Sequence, residues 1–364
     1  MISANSKKIC ITALSLAKGG LERSTAILSS MLFDAGYDVH IVLFNEGIDY
    51  EYKGKLVLLT LPNKEKRSLL SKWKRIRTLR KYIQENKFDY IIDSRCRLAS
   101  FTELLYLYAY RKTPKIYMVH SFKTESYFTQ NRFVGQRMID LCAKIVCVSN
   151  GIQQKIKENY HIDSDKILTI YNPVEDMKAN ASQTKENLPP KYILFLGRID
   201  DKVKNLRLLI EAYQLSQLQQ QNIKLLIVGD GKDKDLLNNY IEENNLQEQV
   251  ILRSFTPTIF NLLSNALFLV LTSRHEGFPM VLIESLSVGT PVVSVDCQSG
   301  PIEIIRNEYN GLLVENHHPE KFAQAMRRMV DDEELYAFCK ANAKTSVRHL
   351  TREKIFQEWI AILK

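Results

Sequence analysis

Residues 267–295 read LFLVLTSRHEGFPMVLIESLSVGTPVVSV, a stretch that carries the strongest fold signal in the chain. An apolar run at 267–272 is followed by a turn at Gly277, a helix that can begin at Pro279, and a second apolar run at 291–295. Proline suits the first helical position, because an amide hydrogen there would have no acceptor within the helix. Two apolar strands joined by a helix predict a right-handed crossover between parallel strands.

The same alternation of short apolar runs and helix-period segments covers the whole chain. Strands are predicted at residues 8–14, 38–44, 90–93, 115–120, 144–149 and 167–171, and again at 192–197, 224–229, 250–253, 267–272, 291–295 and 311–314. Residues 176–191 are polar and end in Pro189-Pro190, a composition typical of a linker. We therefore predict an α/β protein with two doubly wound, Rossmann-like domains, residues 1–175 and 192–346, that face a cleft. An amphipathic helix within 347–364 is predicted to pack back toward the N-terminal domain.

Composition excludes several classes of protein. The chain has 364 residues, of which 45% are hydrophobic and 25% charged, so a disordered or repeat-dominated chain is excluded. No apolar run is long enough to cross a bilayer, and the strand-like Ile9-Cys10-Ile11 is expected to leave no room for a signal peptide. The six cysteines lack metal-binding spacing and predict reduced thiols in a cytoplasmic protein.

A cleft at the carboxyl ends of parallel strands predicts a nucleotide ligand. The glycine-rich dinucleotide fingerprint is missing, because Gly229-Asp230-Gly231 lacks the third glycine and Gly19-Gly20 lacks the spacing. A dehydrogenase is therefore disfavoured.

Two carboxylates flank the start of the helix in 267–295. Glu276 lies in the loop and Glu284 lies eight positions later, a separation of roughly 12 Å or less at a helical rise. This separation suits a ligand with two hydroxyl-bearing ends and is too wide for two groups that act on one bond. With EGFP at 276–279 and GTPVV at 289–293, the pair resembles the Glu-x7-Glu motif of the retaining GT-B glycosyltransferases of family 4.

The resemblance implies that Glu276 binds hydroxyls of the donor sugar and that Glu284 binds the ribose of the nucleotide. Backbone amides of the turn and of the helix start would meet the sugar and the diphosphate, in agreement with the affinity of helix N-termini for anions. The donor-contacting residues of this stretch are Gly277, Phe278, Pro279, Met280 and Val281, of which Pro279 donates no hydrogen bond.

A second motif, GRIDDKVKN at 197–205, follows a predicted strand. The resemblance implies that Arg198 and Lys204, next to Gly197, hold the donor pyrophosphate, with Lys202 as a rival for the lysine role. Two fixed cations would stabilise the charge that develops on the leaving diphosphate without a metal ion.

Three weaker matches complete the predicted site. Gly19-Gly20 corresponds to a family loop that lets the backbone approach the diphosphate and the acceptor, although any tight strand-to-helix turn uses glycine. His120 corresponds to a histidine that contacts the reacting sugar, although a histidine at a strand end is often only a satisfied polar group. Gly229 and the stretch Arg253-Ser254-Phe255 lie where the family encloses the nucleotide base, and ordinary turns explain both equally well.

The resemblance also implies retention of anomeric configuration. The sequence identifies no carboxylate as a nucleophile, so front-face transfer is favoured, in which the departing phosphate oxygen takes the proton of the acceptor. The predicted catalytic residues are Arg198, Lys204, Glu276 and His120. Asp163-Ser164-Asp165 formally matches a metal-binding Asp-x-Asp but lies in a polar turn, so no metal and no cofactor besides the nucleotide-sugar substrate is predicted.

The net charge of +9 is concentrated in one segment. Nine Lys or Arg residues and one Glu lie between Lys64 and Lys81, which leaves the rest of the chain nearly neutral. Residues 64–84 fit one amphipathic helix, with Leu69 or Leu70, Trp73, Ile76, Leu79 or Arg80, and Ile83 in its apolar stripe. Basic amphipathic helices contact anionic membranes, here through Lys72, Trp73, Lys74, Arg75 and Arg77. Alternatively, the stripe belongs to the core and the cations are only solvated.

These patterns predict transfer of a hexose or N-acetylhexosamine from a nucleotide diphosphate sugar, with UDP favoured, to a glycan. The run SGPIEII at 299–305 resembles the branch that acts on lipid-linked oligosaccharides. A lipid-linked acceptor is therefore expected, in capsule, lipopolysaccharide or exopolysaccharide synthesis at the inner face of the cell membrane. One alternative is a UDP-sugar 2-epimerase of the same fold, and another is a nucleic-acid-binding protein, which only the basic helix suggests.

Overall fold

A computed structural model describes residues 7–61, 69–174 and 188–364. The chain divides into two compact units, of which the first comprises Met1–Asn172 with Glu353–Lys364 and the second comprises Pro173–Arg352. Both are doubly wound parallel sheets covered by helices, as the sequence predicts.

The first unit contains a seven-stranded sheet in the order β3-β2-β1-β4-β5-β6-β7, and all its pairings are parallel. Its strands are β1 (Lys8–Ala13), β2 (Asp38–Leu43), β3 (Lys55–Leu58), β4 (Tyr90–Asp93), β5 (Lys115–Val119), β6 (Lys144–Cys147) and β7 (Ile167–Thr169). Its helices are α1 (Gly20–Asp34), α2 (Leu69–Asn86), α3 (Ser100–Tyr110), α4 (Glu125–Phe128), α5 (Arg132–Asp140) and α6 (Asn150–Asn159).

The second unit contains a six-stranded sheet in the order β10-β9-β8-β11-β12-β13, also parallel throughout. Its strands are β8 (Tyr192–Leu196), β9 (Lys224–Val228), β10 (Val250–Arg253), β11 (Leu269–Leu271), β12 (Val292–Asp296) and β13 (Gly311–Glu315). Its helices are α7 (Asp201–Lys204), α8 (Leu206–Ser216), α9 (Lys234–Glu243), α10 (Phe260–Asn265), α11 (Met280–Val288), α12 (Pro301–Ile304), α13 (Pro319–Asp331) and α14 (Glu333–Ser346), with short 3-10 helices at Leu218–Gln221 and Arg348–Leu350.

The C-terminal helix, α15 (Arg352–Ile362), packs on the first unit. It buries Ile355 and Trp359. The residues after it are fixed by two hydrogen bonds, from Lys7 Nζ to the carbonyl oxygen of Leu363 at 2.8 Å and from the Tyr90 hydroxyl to the carbonyl oxygen of Lys364 at 3.0 Å. The helix therefore completes a unit that the chain began more than 300 residues earlier.

All twelve predicted strands are present, with ends that differ from the prediction by at most two residues. The sequence did not predict β3, an edge strand that pairs only with β2. Its four residues are half-buried or exposed, so they lack the continuous apolar run that marks a strand buried on both faces. The predicted linker lies largely outside the described residues, which resume at residue 188.

The basic helix is described from Leu69 to Asn86, so Lys64, Lys66 and Arg67 lie outside the described residues. Three residues of its apolar stripe, Ile76, Leu79 and Ile83, are buried in a core cluster with residues of β1, β2, β4 and α3. Leu70 and Trp73, from the same stripe, remain exposed. The stripe is therefore core in its C-terminal part, whereas the first turns of α2 present apolar side chains and cations to solvent together.

Candidate active site

The predicted donor-binding residues of the second unit follow the carboxyl ends of four adjacent strands, β10, β9, β8 and β11. Loops at this edge of a parallel sheet converge, because each strand delivers its following residues to the same side. The residues delivered are Gly197 and Arg198 after β8, Gly229 after β9, Arg253, Ser254 and Phe255 at and after the end of β10, and Glu276 after β11. His120 and Gly19-Gly20 belong to the first unit.

Lys204 and Glu276 form a direct ion pair. Lys204 Nζ donates to Glu276 Oε1 at 2.6 Å, and the two side chains are only 17% and 13% exposed. Lys202 lies in the same helical turn but is exposed. The structure therefore distinguishes the two lysines that the sequence left open, because only Lys204 reaches the glutamate.

A set of contacts around α7 fixes Lys204. The Thr272 hydroxyl donates to the carbonyl oxygen of Lys204 at 2.9 Å, and the Arg274 guanidinium donates to Asn205 Oδ1 at 2.6 Å. Asn205 has a left-handed backbone at φ 53°, which asparagine tolerates better than most residues. The sequence did not predict these three positioning residues, although an asparagine directly after a short charged turn was a usable signal.

Arg198 supplies a second cation at the end of β8. Its side chain is exposed, and within the described ranges no residue hydrogen-bonds or ion-pairs with it. A Cβ added at Gly197 would lie 3.7 Å from Lys204 Cε, so the lysine side chain passes beside the residue that precedes Arg198. An anion bound at this edge would meet the ion-paired Lys204 and the exposed Arg198.

The turn after Glu276 is buried, and Ser299 and Gly300 pack against it. The Ser299 hydroxyl donates to the carbonyl oxygen of Gly277 at 3.1 Å. Gly300 has φ +95°, and a Cβ there would lie 2.7 Å from Pro279 Cδ, so glycine is required on both counts. The first two residues of the run 299–305 therefore have a structural role in supporting this turn.

Helix α11 begins at Met280, one residue later than predicted, with Pro279 as its N-cap. The first amides of an α-helix, here those of Met280 and Val281, have no acceptor within the helix and are available to an anion. Glu284 lies in the second turn of α11 and is 3% exposed. A solvated glutamate on a helix surface is thereby excluded for this position.

Glycines bring the loops after β8 and β9 into backbone contact. A Cβ added at Gly229 would lie 1.9 Å from the carbonyl oxygen of Gly197, and one at Gly231 would lie 2.0 Å from that of Ile199. Packing alone therefore requires both glycines.

The loops after β9 and β10 are joined by polar contacts. Asp230 accepts from Lys234 Nζ at 2.7 Å and from the amide of Phe255 at 3.1 Å, and Lys234 also donates to the Ser254 hydroxyl at 2.8 Å. The sequence did not predict roles for Asp230 and Lys234, although their spacing of four residues at a helix start was a signal. They fix the backbone of the Arg253-Ser254-Phe255 stretch.

In the first unit, Gly19-Gly20 connects the loop after β1 to α1. Gly19 is extended and precedes the helix, Gly20 is its exposed first residue, and the Gly19 carbonyl accepts the first helical hydrogen bond from Arg23. The predicted strand-to-helix turn is therefore present, with a helix start that is open to solvent.

His120 directly follows β5, and both ring nitrogens are buried without a hydrogen-bond partner in the described part of the chain. Burial first, and the positive charge of Arg97 second, lower the pKa of His120 to about 3. A neutral imidazole results at physiological pH. Within the described residues, the ring therefore lacks the hydrogen bonds that a satisfied polar group at a strand end would have.

We expect the low pKa of His120 to make the free energy of unfolding depend on pH. Its folded-state pKa lies below the ordinary value of about 6.5, so the unfolded chain binds the proton first as pH falls. The free energy of unfolding should therefore decline as pH falls from about 6.5 towards 3, and His120→Asn should flatten that decline, measured by urea unfolding across pH. The exposed His161 is the matched control. Equal slopes in wild type and His120→Asn would contradict the burial argument.

Arg97 connects the loops that follow β4 and β5. Its fully buried guanidinium donates to the carbonyl oxygens of Tyr127, Asp93 and Met118 at 2.8, 3.0 and 2.9 Å. The buried Asp93 carboxylate is paired with Arg95 at 2.7 Å. Burial would raise the pKa of Asp93, but the charges of Arg95 and Arg97 outweigh burial and lower it. Since Met118 lies two residues before His120, Arg97 fixes the backbone that carries the histidine.

In the described ranges, no group of three or more His, Cys, Asp or Glu side chains is placed to hold a metal ion. The Asp163-Ser164-Asp165 segment forms a turn, closed by a hydrogen bond from the Lys166 amide to the Asp163 carbonyl oxygen at 3.0 Å. None of the helices described is long and apolar enough to span a membrane.

Two family models match the chain in succession. The model described as glycosyltransferase family 4 matches residues 18–177, and the model described as glycosyl transferases group 1 matches residues 176–346. Among curated relatives, the N-acetylgalactosamine-N,N'-diacetylbacillosaminyl-diphospho-undecaprenol 4-alpha-N-acetylgalactosaminyltransferase of Campylobacter jejuni is 29% identical, covering 98% of this chain and 99% of the relative. The amylovoran biosynthesis glycosyltransferase AmsD of Erwinia amylovora is 25% identical, with 95% and 96% covered.

The fold is shared with solved structures. Anabaena HepE, solved in complex with UDP and glucose, superposes with a TM-score of 0.80 at 19% identity, covering 98% of this chain and 99% of that one. Staphylococcus aureus TarM gives a TM-score of 0.79 at 17% identity, covering 98% and 100%. With both halves matched by the family models and with both sheets of the GT-B fold in place, the chain belongs to the family 4 glycosyltransferases.

Proposed function

We propose that this glycosyltransferase transfers a hexose or N-acetylhexosamine from a UDP-sugar to a lipid-linked glycan, with retention of anomeric configuration and without a metal ion. The observation that carries the proposal is the Lys204–Glu276 ion pair at the carboxyl edge of the second sheet, together with the exposed Arg198 that follows β8 at the same edge. This site offers cations to a diphosphate and a carboxylate to sugar hydroxyls. The relatives solved with UDP support the choice of base.

We propose that different residues of the site bind different parts of the donor. Glu276 accepts hydrogen bonds from the sugar hydroxyls, Glu284 accepts from the ribose, and the amides of Met280 and Val281 donate to the diphosphate. Arg198 and Lys204 stabilise the charge that grows on the leaving diphosphate. The loop Arg253-Ser254-Phe255 and Gly229 enclose the base, and Gly277, Phe278 and Pro279 shape the turn against the sugar.

In the reaction, the bond from the anomeric carbon to the phosphate oxygen breaks and a bond to the acceptor oxygen forms on the same face. The acceptor proton passes to the departing phosphate oxygen, so the step needs no protein base. His120 is neutral and contacts the reacting sugar as a hydrogen-bonding group, and Gly19-Gly20 lets the backbone approach the diphosphate and the acceptor.

The acceptor and the setting follow from the relatives and from α2. The Campylobacter relative acts on a diphospho-undecaprenol substrate, and others serve amylovoran or lipopolysaccharide synthesis, so we assign this chain to surface-polysaccharide synthesis. Of the five predicted membrane-contact residues of α2, Trp73, Lys74 and Arg77 are exposed and Lys72 is half-buried, and these four contact an anionic membrane surface. Arg75 is half-buried with its guanidinium 5.3 Å from the Phe44 ring, so it faces the core instead. All six cysteines are unpaired, which favours the reducing, cytoplasmic side of that membrane.

The test is a screen of nucleotide sugars for binding and for UDP release, with wild type, Arg198→Ala and Lys202→Ala. Wild type should bind a UDP-sugar and Arg198→Ala should lose about a hundredfold in turnover, because one cation at the leaving group is gone. Lys202→Ala, an exposed cation four residues away, is the matched control and should behave as wild type.

Two further arms of the screen test the finer claims. Turnover should persist after thorough chelation, and the product should keep the anomeric configuration of the donor by NMR. Failure of every nucleotide sugar to bind, or equal activity of Arg198→Ala and wild type, would contradict the assignment. Formation of a 2-epimer without any acceptor would establish the epimerase instead.

A further inference from the structure

The outer face of α3 carries no charged side chain. Phe101, Leu104 and Tyr108 lie on one side of this helix at spacings of three and four residues, and all three are exposed, Phe101 to 63%. The single acid of α3, Glu103, is buried and paired with Arg95 at 3.1 Å. A row of exposed apolar side chains of this kind is typical of an interaction site.

Neighbouring residues extend this apolar face. Leu98, in the loop before α3, is 65% exposed, and Phe133, in the first turn of α5, which contacts α3, is 89% exposed. Because α3 directly follows β4, its first turn lies at the carboxyl edge of the sheet, where Gly19 and His120, which follow β1 and β5, also lie.

A cationic groove of about 640 Å³ lies next to this face. Its walls include Trp73 and Tyr108, whose rings stack at 5.7 Å, and the Arg80 guanidinium lies 3.9 Å from the centre of the Tyr108 ring. Lys74, Arg77 and Lys81 also line the groove, and no acid does. Tyr108 therefore belongs both to the apolar face of α3 and to the cationic groove of α2.

We propose that α2 and α3 form one docking face for an anionic phospholipid bilayer, in which Phe101 and Leu104 enter the boundary of the acyl chains while the groove cations bind headgroup phosphates. The inference rests on the membrane contact proposed above and adds to it the apolar helix that anchors the contact. Apolar side chains beside a band of cations match the layering of such a bilayer, with phosphates above hydrocarbon.

The positive charge of α2 favours a membrane over a second copy of the chain as the partner of this face. Helix α2 carries six Lys or Arg residues and one Glu. A two-fold dimer would place the same face of both copies together and oppose these charges. Docking at the carboxyl edge would instead bring the loops of Gly19 and His120 to the surface in which a lipid-linked acceptor is anchored.

The experiment is co-sedimentation with vesicles of phosphatidylglycerol and phosphatidylcholine, and with phosphatidylcholine alone. The variants are Phe101→Ser/Leu104→Ser on α3 and Lys74→Glu/Arg77→Glu on α2. Leu215→Ser/Leu236→Ser, which removes two exposed leucines of the second unit, is the matched control. We expect the α3 and α2 double variants each to lower partitioning to anionic vesicles about tenfold or more. The control variant should bind as wild type. Binding by the α3 variant should be the more sensitive to salt.

Trp73 provides an independent readout. The chain has two tryptophans, and Trp359 is buried, so quenching by brominated acyl chains reports on Trp73. Wild type should be quenched on anionic vesicles and Phe101→Ser/Leu104→Ser should be quenched less, with unchanged circular dichroism and UDP release from the donor.

Each outcome decides a different point. Absence of wild-type binding to anionic vesicles overturns the membrane contact and this inference, whatever the donor assay shows. Equal binding by wild type and the α3 variant overturns the anchoring role of α3 and leaves the α2 contact. A dimer that dissociates in the α3 variant assigns the face to a second copy.

Discussion

Lys204→Met is expected to lower kcat about a hundred- to a thousandfold, because it removes the cation that we propose stabilises the charge on the leaving diphosphate. The variant also leaves the Glu276 carboxylate without its 2.6 Å partner. UDP release from the donor identified in the screen is the measurement, with Lys202→Met as the control of equal size and charge in the same helical turn.

A double-mutant cycle separates the two roles of the pair. Glu276→Gln should itself lower turnover severely, since it weakens the proposed contact with the sugar. The double variant should lose less activity than the sum of the two single losses. Strict additivity would show that the pair does not act as a unit. A loss in Lys202→Met as large as in Lys204→Met would contradict the assignment of the lysine.

Arg97→Met is expected to destabilise the first unit by about 3–5 kcal/mol, as for other buried charges deprived of one partner. The methionine fills much of the volume but leaves the carbonyl oxygens of Asp93, Met118 and Tyr127 without their donor. Urea unfolding is the measurement. The exposed Arg137→Met, in the same unit, should leave the unfolding midpoint unchanged.

The result has a functional counterpart. Because Arg97 holds the backbone next to His120, a folded fraction of Arg97→Met should also lose turnover. Its affinity for UDP should remain, since the residues that we propose bind the nucleotide are on the second unit. Unfolding at the wild-type midpoint would show that the buried network contributes no net stability.

The sequence predicts the two sheets well because their strands are buried on both faces and therefore read as continuous apolar runs. It misses β3, whose side chains are partly exposed at a sheet edge. It predicts Glu276, Arg198 and Lys204 through a family resemblance. Spacing alone could not choose between Lys202 and Lys204, because the two residues are of the same type and only the Lys204 side chain reaches Glu276.

Other features depend on tertiary contacts that no local pattern contains. The neutral state of His120 results from burial beside Arg97, which is 23 positions earlier in the sequence. From the sequence, the apolar residues of α3 are indistinguishable from a buried core helix, because their exposure depends on how the helices pack. The sequence-based prediction of membrane contact therefore includes the basic residues of α2 and omits the neighbouring helix α3.

The backbone contacts of Gly229 and Gly231 have a consequence for protein engineering. Libraries that aim to change the preferred base can vary Ser254 and Phe255, because these residues belong to the stretch that we propose encloses the base and their side chains are at least partly exposed. The same libraries should leave both glycines unchanged, since even a methyl group would push against the loop that carries Arg198. Variation confined to the end of β10 thus avoids the tight backbone contacts that support the loop of Arg198.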